Sequence, residues 1–245
     1  MSTEGKSRKL SIGTRFLNWV EAKWPGTSID TALRYFPVAR LIKKDGLSNA
    51  RILDVGSGPA GIRPYIHTDI VSVDANFPQT DISKGIIKAS AGSLPFKNNE
   101  FDYVVLVDVL EHIPKSDRGK AVEEAIRVAR GKVFIAVPCG NGAEKQDKLL
   151  SEYYKMRHGG DEYPFLKEHI GCGLPSEDEI LKYLNGPATV TQICKNVNLK
   201  LRSFYMRLYF SKFSVFYTFG RILLPLLRFF NYGECYRKIF VAKKI

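Results

Sequence analysis

The chain has 245 residues, 44% of them hydrophobic and 25% charged, a balance that excludes a disordered chain and a multi-span membrane protein. That length suits one α/β domain with an embellishment, and the formal charge of +12 favours a nucleic acid, an anionic membrane surface or a phosphorylated substrate as partner, or serves solubility alone. Four scattered cysteines with no CxxC pair argue against a zinc ribbon or a disulfide framework and fit a reducing, cytoplasmic compartment.

Residues Met1 to Lys9 read as a frayed tail that leads into no apolar signal segment. A short amphipathic helix is predicted over Thr14–Ala22. Ser28 caps a second helix through Leu41, kinked or restarted at Pro37. Apolar runs then predict buried strands at Arg51–Val55, Ile70–Val73, Ile86–Ala89, Tyr103–Val107 and Val133–Val137, with a helix over Arg118–Arg130 between the last two. Strand and helix alternate, so the sheet is expected to be parallel. The stretch from Asp74 to Ile86 contains Pro78 and has room only for a vestigial helix. A helix is expected over Ala143–His158, then a Gly- and aromatic-rich loop to Pro175. Next comes a helix over Ser176–Leu184 opened by a Ser176/Glu179 capping box. Two closing strands are predicted at Ala188–Cys194 and Tyr236–Ala242.

Within Ile52–Ile62, Gly56, Gly58 and Gly61 form a G-x-G-x-x-G where a strand meets a helix, a pattern that brings backbone N–H groups close to a ligand. Asp74 ends the next strand, where a carboxylate can take both ribose hydroxyls of a nucleoside. These features alone admit NAD and S-adenosylmethionine equally. The surrounding words separate them: Asp54 before the glycines, Ala91-Gly92-Ser93-Leu94-Pro95-Phe96, Phe101-Asp102-Tyr103, and Asp108-Val109-Leu110-Glu111-His112-Ile113-Pro114.

From Arg51 to Pro138 this series resembles the class I S-adenosylmethionine-dependent methyltransferases of the type 11 group. The resemblance implies a Rossmann-like α/β fold: a mostly parallel seven-stranded sheet with flanking helices and a helical insertion before the last strand. It also implies S-adenosyl-L-methionine as cofactor. Carried over by position, Asp54, Gly56 and Gly58 surround the methionine part and Asp74 the ribose, Ser90, Ala91 and Gly92 border the adenine, and Asp108 lies near the transferred methyl. Ser57, Ala75 and Val107 complete the expected cofactor-binding set. An NAD-dependent oxidoreductase and a non-catalytic S-adenosylmethionine-binding subunit are the alternatives.

Methyl transfer needs a base only for a weakly acidic nucleophile. His112, after the fourth strand, is the first candidate and His169, in Glu168-His169, the second. Asp108, Glu111 and His112 also resemble the E-x-x-E-H of ubiquinone-pathway O-methyltransferases, which hold a divalent metal beside the acceptor hydroxyl. Here Asp108 replaces the first Glu, the alternative is that Glu111 and His112 cap the next turn, and no metal is counted among the expected ligands.

The expected domain is single: N-terminal helices over 1–48, a cofactor-binding core over 49–142, a substrate-side region over 143–187, and closing strands over 188–245. Its insertion, 196–232, is basic and aromatic. From Phe204 to Tyr232 it holds eleven Phe and Tyr, and no Asp or Glu occurs from Lys195 to Gly233. A membrane span there would put two paired strands on opposite sides of a bilayer. The segment therefore reads as a lid, a dimer contact or an interfacial element on an anionic membrane, with RNA as a weaker use of the same residues. A lid rich in Phe and Tyr implies a partly apolar small-molecule, glycan or lipid-linked acceptor.

Overall fold

The computed structural model describes residues 29–46, 49–211 and 231–245. Helix α1 (Ile29–Lys44) continues through Pro37, longer than predicted, and strand β1 (Arg51–Val55) starts the sheet. Then come β2 (Asp69–Val73), the two-residue β3 (Ile86–Ile87), β4 (Phe101–Val107), α2 (Lys115–Val128) and β5 (Ala129–Pro138). Helices α3 (Asn141–Arg157), α4 (Pro164–Cys172) and α5 (Glu177–Leu184) lead to β6 (Ala188–Asn198), α6 (Leu199–Tyr209) and β7 (Cys235–Lys244).

The seven strands lie in the order β3-β2-β1-β4-β5-β7-β6, with β7 antiparallel to both neighbours and the other pairs parallel, which is the Rossmann-like arrangement expected. Alternation along the strands divides the core. Ile52, Tyr103, Val105 and Phe134 pack under α1, α3 and α6, whereas Leu53, Val104, Leu106 and Ile135 pack under α2 and α5.

Several boundaries differ from the prediction. The helix predicted over Arg118–Arg130, α2, ends at Val128 rather than Arg130, because Ala129 already pairs with Phe101 and Arg130 is bonded to Asp102. Gly131 permits this: a Cβ there would stand 2.6 Å from the Asp102 carbonyl oxygen. Helix α4 occupies part of the expected loop. Pro164 presets its first turn, and Leu166 and His169, three residues apart, supply its buried stripe. Ser176 Oγ caps α5 by accepting from Glu179 N at 3.1 Å, but the Glu179 carboxylate turns to Arg118 and Tyr183 instead of closing the box. Strand β6 runs on to Asn198, so residues 196–198 belong to the sheet and not to the insertion. The predicted Thr14–Ala22 helix and the aromatic run from 212 to 230 lie outside the described residues. Among the described residues no helix is long and apolar enough to cross a membrane.

Candidate active site

The parallel strands point their carboxyl ends at one edge of the sheet, and the motif residues collect there. The glycine loop folds back over β2, with Gly56 N and Ser57 N both donating to Val73 O at 2.7 and 3.1 Å. Asp74 fastens the loop from the other side: Oδ2 accepts from Gly58 N at 2.9 Å and Oδ1 from Asn76 N at 2.8 Å. Ala75 is exposed beside it. Ser90, Ala91 and Gly92 form a separate turn in which Ser90 Oγ accepts from Gly92 N at 3.3 Å.

Asp54 sits beneath the loop on the α1 face of β1, fully buried. Its Oδ2 accepts from Ile62 N at 2.7 Å while Oδ1 has no partner among the described residues. The third glycine makes room for it, since a Cβ on Gly61 would fall 2.3 Å from Asp54 Oδ2. Burial, opposed by the Ile62 N–H and Arg63, lifts the Asp54 pKa to about 7. An unfolded aspartate ionises near 3.9. The folded chain therefore holds this proton more tightly between these values, and stability falls as pH rises from about 4 to about 7. Asp54→Asn keeps an acceptor for Ile62 N–H and removes the titration. In thermal and urea melts of the ligand-free protein, the stability of the variant relative to wild type is expected to rise by roughly 3–4 kcal/mol from pH 4 to pH 8. A constant difference across that range would contradict the burial account.

Val107 is buried, and Asp108 leaves β4 with a left-handed backbone, φ 53°. Burial would raise the Asp108 pKa, but Arg237 and Arg34 outweigh it and hold the carboxyl below its ordinary value. Arg237 grips both oxygens, with Nε to Oδ1 at 2.5 Å, and Arg34 Nε from α1 stands 3.3 Å from Oδ2.

The turn after β4 carries Glu111 and His112, and α4 brings His169 to them. The two imidazole centroids are 4.8 Å apart. His112 Nδ1 bonds Glu168 Oε2 at 2.7 Å, and His169 Nδ1 bonds Asp147 Oδ2 at 2.9 Å. A carboxylate only accepts at neutral pH, so Nδ1 carries the proton in both rings. Burial first, then the neighbouring His169, lowers the His112 pKa. Asp147 is anchored in turn by Tyr236 OH at 2.9 Å and Arg202 Nη2 at 2.8 Å, and the Arg202 guanidinium lies 3.4 Å over the Tyr236 ring. Glu111 is fully buried, and burial followed by the Asp108 charge holds its pKa well above the usual range. Phe165, more than half exposed, packs edge-on to His112 at 5.9 Å and stands 5.7 Å from Tyr163.

The sequence-predicted histidines thus meet, and Asp74 meets the glycine loop. Asp147, Tyr236, Arg202 and Arg237 were not singled out, because their partners lie far along the chain. Arg118 was also missed. Fully buried, it donates to Leu110 O and Ile113 O, to Glu179, and to Cys172 O and Gly173 O, tying the Glu111–His112 turn to the end of α4. The E-x-x-E-H resemblance implies a cation on Asp108, Glu111 and His112. Asp108 does not fit that role, being neutralised by two arginines, whereas Glu111 does, since neither of its oxygens has a partner in another described residue.

Residues 53–137 match the family described as a methyltransferase domain. A tRNA (carboxymethyluridine(34)-5-O)-methyltransferase of Arabidopsis thaliana is 23% identical over 170 residues, which cover 67% of this chain and 38% of that protein. The ubiquinone/menaquinone biosynthesis C-methyltransferase UbiE of Rickettsia bellii is 28% identical over 167 residues, 54% of this chain and 64% of that protein. The chain thus spans less than two thirds of the length of either curated relative. Among solved structures, magnesium protoporphyrin IX methyltransferase from Synechocystis PCC 6803, with bound SAH, shares the fold with a TM-score of 0.53 at 13% identity, covering 95% of each chain. A candidate sarcosine dimethylglycine methyltransferase from Galdieria sulphuraria gives 0.58 at 14% identity, covering 96% of this chain and 98% of that one.

Proposed function

Residues 53–137 are a class I methyltransferase domain of the type 11 group, whose cofactor is S-adenosylmethionine; on that premise we propose that this chain methylates a partly apolar small-molecule, glycan or lipid-linked acceptor seated beside His112 and His169. In such a transfer an acceptor lone pair attacks the methyl carbon, the carbon–sulfur bond breaks, and S-adenosylhomocysteine (SAH) leaves. The substrate is already activated by its leaving group, so alignment alone can supply up to ~7–11 kcal/mol of the barrier. What the chain must add is a place for the acceptor's proton.

The observation that carries this reading is the meeting of His112 and His169 at the carboxyl edge that also bears the glycine loop and Asp74. Each imidazole is oriented by its own carboxylate and presents Nε2, so the acceptor's proton is handled at this pair. Exposed Phe165 beside His112, with Tyr163 behind it, favours an acceptor that has an apolar or ring face.

The direct test supplies S-adenosylmethionine labelled in its methyl group and a panel of phenols, glycans and lipid-linked sugars. Label is expected in an acceptor with an apolar part. SAH-binding protein that labels nothing in the panel would favour the non-catalytic subunit instead. The cofactor half has its own test. Asp74→Ala is expected to weaken SAH binding by roughly 10–150-fold in calorimetry, the equivalent of losing charged hydrogen bonds worth about 1.5–3 kcal/mol. Unchanged affinity would remove Asp74 from the ribose.

A further inference from the structure

Both histidines of the site are held through the same ring atom. With His112 Nδ1 on Glu168 and His169 Nδ1 on Asp147, Nε2 is the nitrogen each ring has left for a ligand. An imidazole that gives its other N–H to a carboxylate is the arrangement outer partners impose on metal-binding histidines. Glu111 stands with them, wholly buried, and neither of its oxygens is bonded to another described residue. A buried carboxylate in that state needs a proton or a cation to neutralise it. One ligand atom from each of the three residues lies within 4.8 Å of the other two. Ligand atoms around a tetrahedral first-row cation with bonds of about 2.0–2.1 Å stand about 3.3–3.4 Å apart, so side-chain rotations that draw these atoms together by up to roughly 1.5 Å close the set.

We propose that Glu111, His112 and His169 hold a divalent cation at the acceptor end of the site, with Glu168 and Asp147 as the outer carboxylates that orient the two imidazoles. This set differs from the one the Asp108-to-His112 run implies. Asp108 is excluded because Arg237 and Arg34 neutralise it, and its place is taken by His169 from α4. Two imidazoles and one carboxylate suit zinc, cobalt or manganese better than calcium, which takes oxygen ligands, and three protein ligands leave coordination positions open. When bound, such a cation supplies Lewis-acid polarisation of an acceptor oxygen. The inference rests on the methyl-transfer reading and deepens it: with both Nε2 atoms on the cation, the acceptor oxygen would lose its proton to solvent on binding the cation instead of passing it to an imidazole.

The test uses the full, tag-free chain, stripped with chelator and titrated with Co²⁺ while the visible d–d bands are followed, with Zn²⁺ as competitor. One cation per chain is expected. Glu111→Gln and His169→Asn should each lower Co²⁺ affinity by more than the roughly 10–100-fold expected for the outer-partner change Asp147→Asn. Circular dichroism checks folding, and Glu111→Gln, which keeps the shape of the side chain, decides the matter where another variant unfolds. SAH titrations on the same samples keep the two readings apart. SAH bound by folded wild type that takes up neither Co²⁺ nor Zn²⁺ overturns the cation site alone, as does undiminished Co²⁺ affinity in Glu111→Gln. Co²⁺ uptake at these residues without SAH binding supports the cation site and overturns the methyl-transfer reading.

Discussion

Arg118→Ala is expected to lower the unfolding free energy by about 3–5 kcal/mol, the loss that follows when one partner of a buried ion pair is removed. Among the described residues the mostly buried Glu179 carboxylate would be left with Tyr183 OH as its side-chain partner, and the carbonyls of Leu110, Ile113, Cys172 and Gly173 would lose a shared donor. Two of these carbonyls flank the Glu111–His112 turn and two end α4, so the variant loosens the two elements that bring His112 and His169 together. Urea unfolding followed by circular dichroism gives the stability. Arg118→Lys serves as the comparison, because an ammonium cannot reproduce the fork of donors and should recover only part of the loss. A loss below about 1 kcal/mol for Arg118→Ala, the scale of a surface pair, would show that the network is not what holds the turn.

His112→Gln is expected to reduce the maximal rate of methyl transfer by ~10²–10⁴ while SAH affinity stays near wild type. Glutamine has nearly the reach of the imidazole but accepts no proton near neutral pH and binds cations weakly, so the loss follows whether the acceptor's proton passes to the ring or is displaced at a bound cation. Initial rates with an acceptor from the labelled-methyl screen give the first quantity and calorimetry the second. Full activity in the variant would move the proton step to His169 alone, or to a nucleophile that needs no base.

The central strands were legible because they are largely apolar runs buried on both faces of the sheet, as at Ile52–Val55, which also carries the buried Asp54, and Val104–Val107. Where the pattern was polar, the reading fell short. Strand β6 lies at the edge of the sheet, so Gln192 and Lys195 leave no apolar alternation to mark its length to Asn198. Helix α4 is short and flanked by glycines, and its two buried residues are too few to show a period.

The site divides along the same line. The glycine loop and Asp74 are close in sequence and have a fixed spacing, so the chain displays them directly. The carboxylates behind the histidines do not display themselves: Asp147 on α3 reaches His169 on α4, and Arg202 on α6 reaches Asp147, only through the fold. Arg118, Arg202 and Arg237 are buried and paired with Glu179, Asp147 and Asp108, so these interior pairs are neutral and the net charge of +12 is carried by other residues.

The central claim is that the glycine loop and Asp74 form a site for S-adenosylmethionine, and calorimetric titration with SAH and NADH in parallel tests it most directly. One SAH per chain is expected, with no heat from NADH at the same concentrations and with SAH binding diminished in Asp74→Ala. Saturable NADH binding without SAH binding would contradict the account and return the chain to the dinucleotide-dependent oxidoreductases.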